Sequence, residues 1–306
     1  MKRVVLDMDP GIDDAIALLL ALNNPKLDVA AVTTVSGNVN LHKGTINALR
    51  LVEAAKKDIP VYMGSEYPAG NLEPVRAESI HGKDGLGEAG LPHPKRAAEK
   101  KRALDFLKEL LGSSKRKEIT IVATGPLTNV AQLVQSDPSS AKKIDGIFLM
   151  GGLYDPAVRG NVTEYAEFNF FSDPGSADRV LRTAGKDYPQ ITAVGLELTS
   201  LPSCVVGGKS LRLIRGIGSW SSDVAGKILN WPVLTYSYFN LHDVFALFAL
   251  IHPEIFKTET CGVRVAHSGN FRGRCTVTTG NGGTDICRKV NATKFNQFVL
   301  DGLKQA

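Results

Sequence analysis

Short runs of apolar and β-branched residues alternate along the chain with longer segments of helical patterning. The short runs predict buried strands, and the longer segments predict helices. The predicted strands span residues 4–6, 29–35, 61–63, 119–123, 147–150 and 191–194. The predicted helices span residues 15–22, 43–56 and 127–134, each stopped by a proline or a turn-forming residue. This alternation predicts an α/β fold with a mostly parallel, mixed central sheet flanked by helices, of the Rossmann-like type.

The end of the chain carries a different pattern. Residues 274–279 and 284–290 predict a hairpin, and a final helix is expected from Thr293. Cys275 and Cys287 flank the turn almost symmetrically and would face each other across that hairpin, although the sequence leaves open whether they are bonded. Because no linker, repeat or low-complexity tract interrupts the pattern, we expect residues 1–306 to form a single domain.

Polar side chains and glycines follow almost every predicted strand. In parallel α/β sheets the carboxyl ends of the strands form the crevice where ligands bind. The sequence therefore predicts an active site at this edge, assembled from residues that are far apart in the chain. The segments that follow the first, second, fourth and fifth strands are Asp7 with Asp9, Ser36-Gly37-Asn38, Thr124-Gly125 and Gly151-Gly152.

The first of these turns carries four carboxylates, those of Asp7, Asp9, Asp13 and Asp14, around a bend made by Pro10-Gly11. Asp13 and Asp14 suit the amino end of a helix, where the dipole favours anions. Asp7 and Asp9 remain uncompensated, and without a cation some of the four would have to stay protonated at neutral pH. A hard divalent metal ion, bound through oxygen ligands, resolves this conflict better than helix capping alone.

Charge and composition exclude several other classes of protein. The formal net charge is +5, but basic residues alternate with acidic ones, which is typical of solvated helix faces and not of a nucleic-acid-binding surface. The longest apolar runs fall well short of the roughly 20 residues of a membrane span. Asp7 and Asp9 interrupt any signal-peptide core, so we expect a cytoplasmic protein. The absence of GxGxxG, GxSxG and HExxH motifs weakens dinucleotide, serine-hydrolase and zinc-peptidase hypotheses.

Seven polar blocks, taken in order, resemble the nucleoside hydrolase family. The match runs from Lys2 to about Asp301, and seven blocks in register are far more specific than the aspartate turn alone. The blocks are residues 7–14, Ser36-Gly37-Asn38, Ile80-His81-Gly82, residues 124–129, Met150-Gly151-Gly152, Asn161 with residues 166–169, and His242-Asp243.

The resemblance implies a calcium ion held by the side chains of Asp9, Asp14 and Asp243 and by the backbone carbonyl of Thr124. It also implies that Asp9 is the general base that takes a proton from a calcium-bound water, which attacks the ribosyl carbon of a nucleoside. The oxygen ligands agree with the ligand preference of calcium.

The same resemblance assigns the ribose contacts. Asp13 and Asn169 would hold the 2′- and 3′-hydroxyls, Asn161 and Glu167 would hold the 5′-hydroxyl, and Asn38 would support the site. Buried sugar hydroxyls need such partners, because unpaired ones are costly.

His81 and His242 would contact the leaving base, and His242 would protonate it or hydrogen-bond to it. Histidines at these places resemble members that accept pyrimidines or both classes of base. This favours uridine and cytidine, with inosine as a further candidate and a purine-specific hydrolase as the alternative. A second hypothesis for His242 is that it caps the helix that begins at Asp243. Base-contacting residues between Leu198 and Asn240 cannot be aligned, and Trp231, Tyr236 and Tyr238 are candidates either for base stacking or for core packing.

Two other functions stay open at this point. A haloacid dehalogenase-like phosphatase also has Asp-x-Asp after its first strand, but Pro10-Gly11 and Asp13-Asp14 fit it poorly. A calcium-dependent nucleoside-binding module without catalysis would use the same residues. For the nucleoside hydrolase we expect a ribonucleoside substrate, no nucleic-acid or membrane partner, and a homodimer or homotetramer.

Overall fold

The computed structural model describes residues 1–185, 187–280 and 282–304. Within them the strands are β1 Lys2–Met8, β2 Leu27–Thr34, β3 Val61–Met63, β4 Ile119–Ala123, β5 Gly146–Met150, β6 Gln190–Val194, β7 Val205–Gly207, β8 Tyr238–Asn240, β9 Phe256–Val265, β10 Cys275–Thr279 and β11 Thr284–Val290. The helices are α1 Ile12–Asn23, α2 Leu41–Ala54, α3 Glu78–His81, α4 Ala103–Ser113, α5 Thr128–Ser136, α6 Pro138–Ala141, α7 Phe168–Ser172, α8 Pro174–Leu181, α9 Leu196–Thr199, α10 Gly208–Arg215, α11 Trp220–Ile228, α12 Asn230–Tyr236, α13 His242–Ile251 and α14 Ala292–Lys304.

Nine strands form one mixed sheet in the order β3-β2-β1-β4-β5-β6-β11-β9-β10. All neighbours from β3 to β11 are parallel, whereas β9 runs antiparallel to β11 and β10. The predicted α/β class with a mostly parallel, mixed sheet is confirmed. The chain leaves β1 towards β2 on one side and later returns to place β4 on its other side. This reversal puts the ligand crevice at the carboxyl ends of β1 and β4.

The predicted hairpin near the end of the chain is wrong. β10 and β11 do not pair with each other, because β9 lies between them and pairs with both. The other edge of β11 is taken by β6, so β10 can join the sheet only at the free edge of β9. Cys275 therefore lies opposite Val265 and Cys287 opposite Thr258, and in the described part of the chain all the cysteines are free thiols.

The sheet separates two apolar cores. Val4, Leu6 and Met8 of β1 face the core that contains α1, α2, α13 and α14, and Val5 faces the opposite core with α4, α5 and α8. Helices α1 and α13 pack against each other, and nearly every side chain of both is buried. Their packing brings the acidic first turn of each helix to the same edge of the sheet. None of the helices in the described ranges is long and apolar enough to cross a membrane.

Candidate active site

A cavity of about 770 Å³ opens at this edge of the sheet. Its walls come from the loops that follow β2, β3, β4 and β5, from α3 and β8, and from the first turns of α1, α7 and α13. Most of the residues predicted from the sequence to form the site line it, namely Asp13, Asn38, His81, Thr124, Asn161, Glu167, Asn169, His242 and Asp243. Asp9 and Asp14 are completely buried next to this lining.

Three carboxylates meet at the floor of the cavity. Asp13, Asp14 and Asp243 each place one carboxylate oxygen within 4.8 Å of the other two, and all three are buried. Asp14 is held in place by the Thr124 hydroxyl, which donates to Oδ1 at 2.6 Å, and by Asn38 Nδ2, which donates to Oδ2 at 3.1 Å. A carboxylate fixed by donors on both oxygens is preorganised as a ligand.

Asp9 lies beside this cluster. Its Oδ2 accepts the backbone N–H of Asn38 at 2.6 Å, whereas its Oδ1 is buried and has no hydrogen-bond partner among the described residues. Glycines make the close packing possible, since a Cβ on Gly37 would lie 2.0 Å from Asp9 Oδ2 and one on Gly125 would lie 2.7 Å from Oδ1. The fourth carboxylate of the turn, that of Asp7, instead accepts the hydroxyl of Thr33 at 2.6 Å, within the sheet.

Burial raises the pKa of every carboxyl in the cluster, and repulsion between neighbouring carboxylates raises the pKa values of Asp9, Asp13 and Asp243 further. Burial and the charge of Asp14 raise the pKa of Asp13 to about 8 and hold that of Asp9 well above its usual value. Burial and the charges of Asp13 and Asp14 do the same to Asp243. The unpartnered Oδ1 atoms of Asp9 and Asp13 show that the hydrogen bonds of the protein do not offset this repulsion. A bound cation with oxygen ligands fits these residues, because it would stabilise all four as anions.

The ribose side of the cavity is built around α7. Asn169 Nδ2 donates to the carbonyl oxygens of Thr124 at 2.7 Å and Met150 at 3.1 Å, which leaves its Oδ1 available to accept. Glu167 precedes α7 and accepts the backbone N–H groups of Asn169, Phe170 and Gly152, and burial raises its pKa to about 7.

His81 is fixed by the start of α1. Its Nδ1 accepts the backbone N–H of Ile12 at 3.0 Å, so that nitrogen carries no hydrogen and the neutral ring has its hydrogen on Nε2. Burial and the nearby His242 lower the pKa of His81 to about 3. Gly11 allows this approach, because a Cβ there would lie 2.6 Å from His81 Nδ1.

His242 does not cap α13, so the capping hypothesis is wrong. The residue before the helix is Leu241, and no side chain caps the helix there among the described residues. Instead, His242 Nδ1 lies 2.7 Å from the hydroxyl of Thr199, and burial lowers the pKa of the ring to about 4. The imidazole is therefore neutral at physiological pH.

Aromatic residues form the outer wall. Tyr236 and Tyr238 line the cavity, and the Tyr236 hydroxyl donates to the carbonyl of Ser79 across its mouth. Trp231 instead packs edge-on against Tyr236, with the ring centroids 5.7 Å apart. Of the three aromatic candidates, two thus face the cavity and the third supports one of them.

Comparisons with known proteins agree with this geometry. Residues 4–297 match the family described as inosine-uridine preferring nucleoside hydrolase. A probable uridine nucleosidase 2 of Arabidopsis thaliana is 40% identical over 279 residues, covering 89% of this chain and 84% of the relative. The chain belongs to the nucleoside hydrolase family. A pyrimidine-specific ribonucleoside hydrolase of Shigella flexneri is 34% identical over 280 residues, covering 89% of this chain and 86% of the relative.

The fold of the nucleoside hydrolase extends over the whole chain. The structure of a plant nucleoside hydrolase superposes with a TM-score of 0.90 at 32% identity and covers 100% of this chain and 99% of the plant chain. Nucleoside hydrolases are metal-dependent enzymes, and the buried group formed by Asp13, Asp14 and Asp243 is where this one can bind its metal. Family membership also excludes the phosphatase hypothesis.

Sequence reasoning missed several residues of this nucleoside hydrolase site. Met150 and Phe168 line the cavity within blocks that were recognised, but they carried no polar signal. Phe239 lines it within the segment that could not be aligned, and its ring packs edge-on against His81. Thr199 belongs to the site through its contact with His242. Its position shortly after strand β6 is the sequence feature that could have identified it.

Proposed function

We propose that this enzyme hydrolyses uridine and cytidine, with inosine as a further substrate, to ribose and free base. The proposal rests on one observation: a single cavity has buried carboxylates, including that of Asp13, at its floor and two histidines, His81 and His242, in its wall. The names of the Arabidopsis and Shigella relatives support a pyrimidine preference, and the family description supports inosine as well.

We propose calcium as the metal, held by the side chains of Asp9, Asp14 and Asp243 and by the Thr124 carbonyl. Hard oxygen ligands of this kind suit calcium, and the donor set contains neither sulfur nor imidazole. When bound, calcium would supply a Lewis acid that lowers the pKa of water and orients the ribose hydroxyls. The unpartnered Asp9 Oδ1 and the donors that already hold Asp14 support this assignment.

Asp9 is the general base of the proposed reaction. The backbone N–H of Asn38 fixes Oδ2 of Asp9 and so orients the carboxylate that takes the proton from the attacking water. The close packing of Gly37 and Gly125 against this carboxylate keeps it in one orientation. A base with this role contributes about 10² to 10⁴ to the rate.

The ribose is oriented by residues that line the cavity and keep free hydrogen-bonding capacity. Asp13 Oδ1 and Asn169 Oδ1 accept the 2′- and 3′-hydroxyls, since Nδ2 of Asn169 is already used by two carbonyls. Glu167 accepts three backbone N–H groups and keeps lone-pair capacity for the 5′-hydroxyl. Asn161 lies exposed at the mouth of the cavity and completes that contact.

The departing base lies between the histidines and the tyrosines. A pyrimidine gains negative charge on its ring and carbonyl oxygens as the N-glycosidic bond breaks, and hydrogen-bond donors then stabilise it. Because the His242 ring is neutral, it assists departure as a hydrogen-bond donor. Tyr236 and Tyr238 present ring surface for stacking on the base.

One measurement tests the proposal directly. Purified protein with calcium is incubated with uridine, cytidine, inosine, adenosine and guanosine, and released ribose is measured by a reducing-sugar assay. We expect turnover of uridine and cytidine to exceed that of adenosine and guanosine. Preferential turnover of purine nucleosides would contradict the base preference, and uridine that binds without release of ribose would indicate a binding module.

A further inference from the structure

Thr199 makes an unusual contact behind the active site. It ends the short helix α9, just beyond the carboxyl end of β6, and its side chain is fully buried. Its hydroxyl lies 2.7 Å from His242 Nδ1, which belongs to a different helix, α13. This hydroxyl is therefore not solvated, and its one hydrogen must have a defined acceptor within the protein.

Two acceptors are in reach of that hydrogen, and they are not equivalent. The carbonyl oxygen of Leu196 is 3.4 Å away, at the limit of hydrogen bonding, and it already accepts the backbone N–H of Ser200 at 3.0 Å. The 2.7 Å contact to His242 Nδ1 is the better bond. Donation by Thr199 to Nδ1 leaves the imidazole with its hydrogen on Nε2, the nitrogen that remains available to substrate.

The other histidine of the cavity is fixed in the same way. The backbone N–H of Ile12 donates to His81 Nδ1, so His81 also carries its hydrogen on Nε2. Two independent elements, the start of α1 and the end of α9, thus occupy the Nδ1 atoms of both rings. Both residues line the cavity, and an Nε2–H group on each ring would be a donor of the kind that a base gaining negative charge needs.

We propose that Thr199 is a positioning residue that fixes the orientation and tautomer of His242 so that Nε2–H donates to the departing base. This role rests on the proposed function of His242 in leaving-group stabilisation. Thr199 itself does not touch the nucleoside. Without its hydroxyl the imidazole can rotate, or can move its hydrogen to Nδ1 and present an acceptor to the base.

Thr199→Val tests this role, because valine keeps the shape of threonine and removes only the hydroxyl. We expect kcat for uridine to fall about tenfold or more, while KM stays within about threefold. This loss lies between the effect of removing one neutral hydrogen bond and the effect of removing a general acid. Hydrolysis of p-nitrophenyl riboside should stay within about twofold, since its phenolate leaves without a donor. Thr199→Ser, which restores a hydroxyl, should recover most of the uridine turnover.

A double-mutant cycle separates positioning from a general structural effect. In the His242→Ala background, Thr199→Val should change uridine turnover by less than about twofold, because the imidazole that Thr199 positions is already absent. Thr45→Val is the matched control, since the buried Thr45 hydroxyl also bonds a side chain and a backbone carbonyl, those of Thr34 and Leu41, but does not contact a histidine. This control should leave the ratio of the two substrate rates unchanged.

Nitrogen-15 NMR of protein labelled at histidine reads the tautomer itself. The wild type should show His242, assigned by its loss in His242→Ala, protonated at Nε2, and Thr199→Val should weaken or invert that pattern. Native uridine turnover in Thr199→Val, equal losses on both substrates, or additive losses in the cycle would overturn the proposal. A wild type that fails to hydrolyse uridine would instead contradict the proposed function.

Discussion

Removing the metal should make the stability of the protein fall as pH rises, and the carboxylate cluster sets the size of the effect. The pKa of Asp13 is raised from 3.8 to about 8, and the pKa values of Asp9 and Asp243 are raised in the same direction. Between the unfolded and folded values, the metal-free folded state binds more protons than the unfolded state. Its unfolding free energy therefore decreases with increasing pH throughout that window.

The magnitude follows from Asp13 alone. Each titrating group of this kind lowers the unfolding free energy by about 1.4 kcal/mol per pH unit, so a rise from about pH 6 to about pH 7.5 costs about 2 kcal/mol. At about 2 °C per kcal/mol for a chain of this size, the melting temperature of the metal-free protein should fall by about 4 °C. Asp9 and Asp243 can only steepen this slope, because their pKa values are raised as well.

Thermal unfolding in matched buffers, with calcium or with a chelator, measures the effect. Calcium, the proposed metal, would stabilise the ionised carboxylates, so the difference in melting temperature between the two conditions should widen with pH. Asp13→Asn removes one titrating group and should flatten the slope of the chelated protein by about 1.4 kcal/mol per pH unit. A melting temperature of the chelated protein that stays level or rises across this window would refute the argument.

Three further predictions concern activity. Asp9→Asn should fold and bind uridine within about tenfold of the native affinity but lose about 10² to 10⁴ in turnover, measured by ribose release, and near-native turnover would remove Asp9 from the role of base. Chelation should abolish ribose release and calcium should restore it, whereas full activity in protein shown by elemental analysis to be metal-free would exclude the calcium mechanism. Gly11→Ala would place a Cβ 2.6 Å from His81 Nδ1 and 2.8 Å from Asn38 Nδ2. It should therefore lower the unfolding free energy by about 1 to 3 kcal/mol in urea unfolding and slow uridine hydrolysis. A variant with native stability and turnover would show that the contact between His81 and the start of α1 is not required.

The parallel half of the fold was predictable from sequence because each of its strands carries its own signal. Strands β1 to β6 are buried on both faces, and a run of apolar residues is visible without knowledge of its neighbours. The antiparallel edge was not predictable in this way. Strand β9, Phe256–Val265, is largely exposed in its first half and reads KTET after Phe256, so it gave no apolar signal. With β9 unrecognised, the two runs that flank the Gly280 turn seemed to be neighbours.

The polar part of the site was predictable for a similar reason. Asp9, Asn38 and Thr124 follow strands, and the parallel arrangement alone brings the carboxyl ends of those strands to one edge. The cluster itself differs in one respect from the expected ligand set. Asp13, expected only to contact ribose, lies with Asp14 and Asp243 in a group whose carboxylate oxygens are within 4.8 Å of one another, and Asp9 is not in that group. Which oxygens converge depends on side-chain directions at the start of α1, and sequence spacing does not determine them.

The sequence identifies the two histidines of the site but does not determine which ring nitrogen of each carries the hydrogen. His81 and His242 could be selected as candidates from their blocks, but the hydrogen on each ring depends on what contacts Nδ1. For His81 that contact is a backbone N–H. Because every residue except proline has a backbone N–H, the sequence cannot indicate this contact. For His242 it is a threonine 43 positions earlier in the chain, in a segment that could not be aligned. Two side chains of the same type in one cavity thus have their Nδ1 atoms contacted by unrelated parts of the fold, and only the three-dimensional structure identifies those contacts.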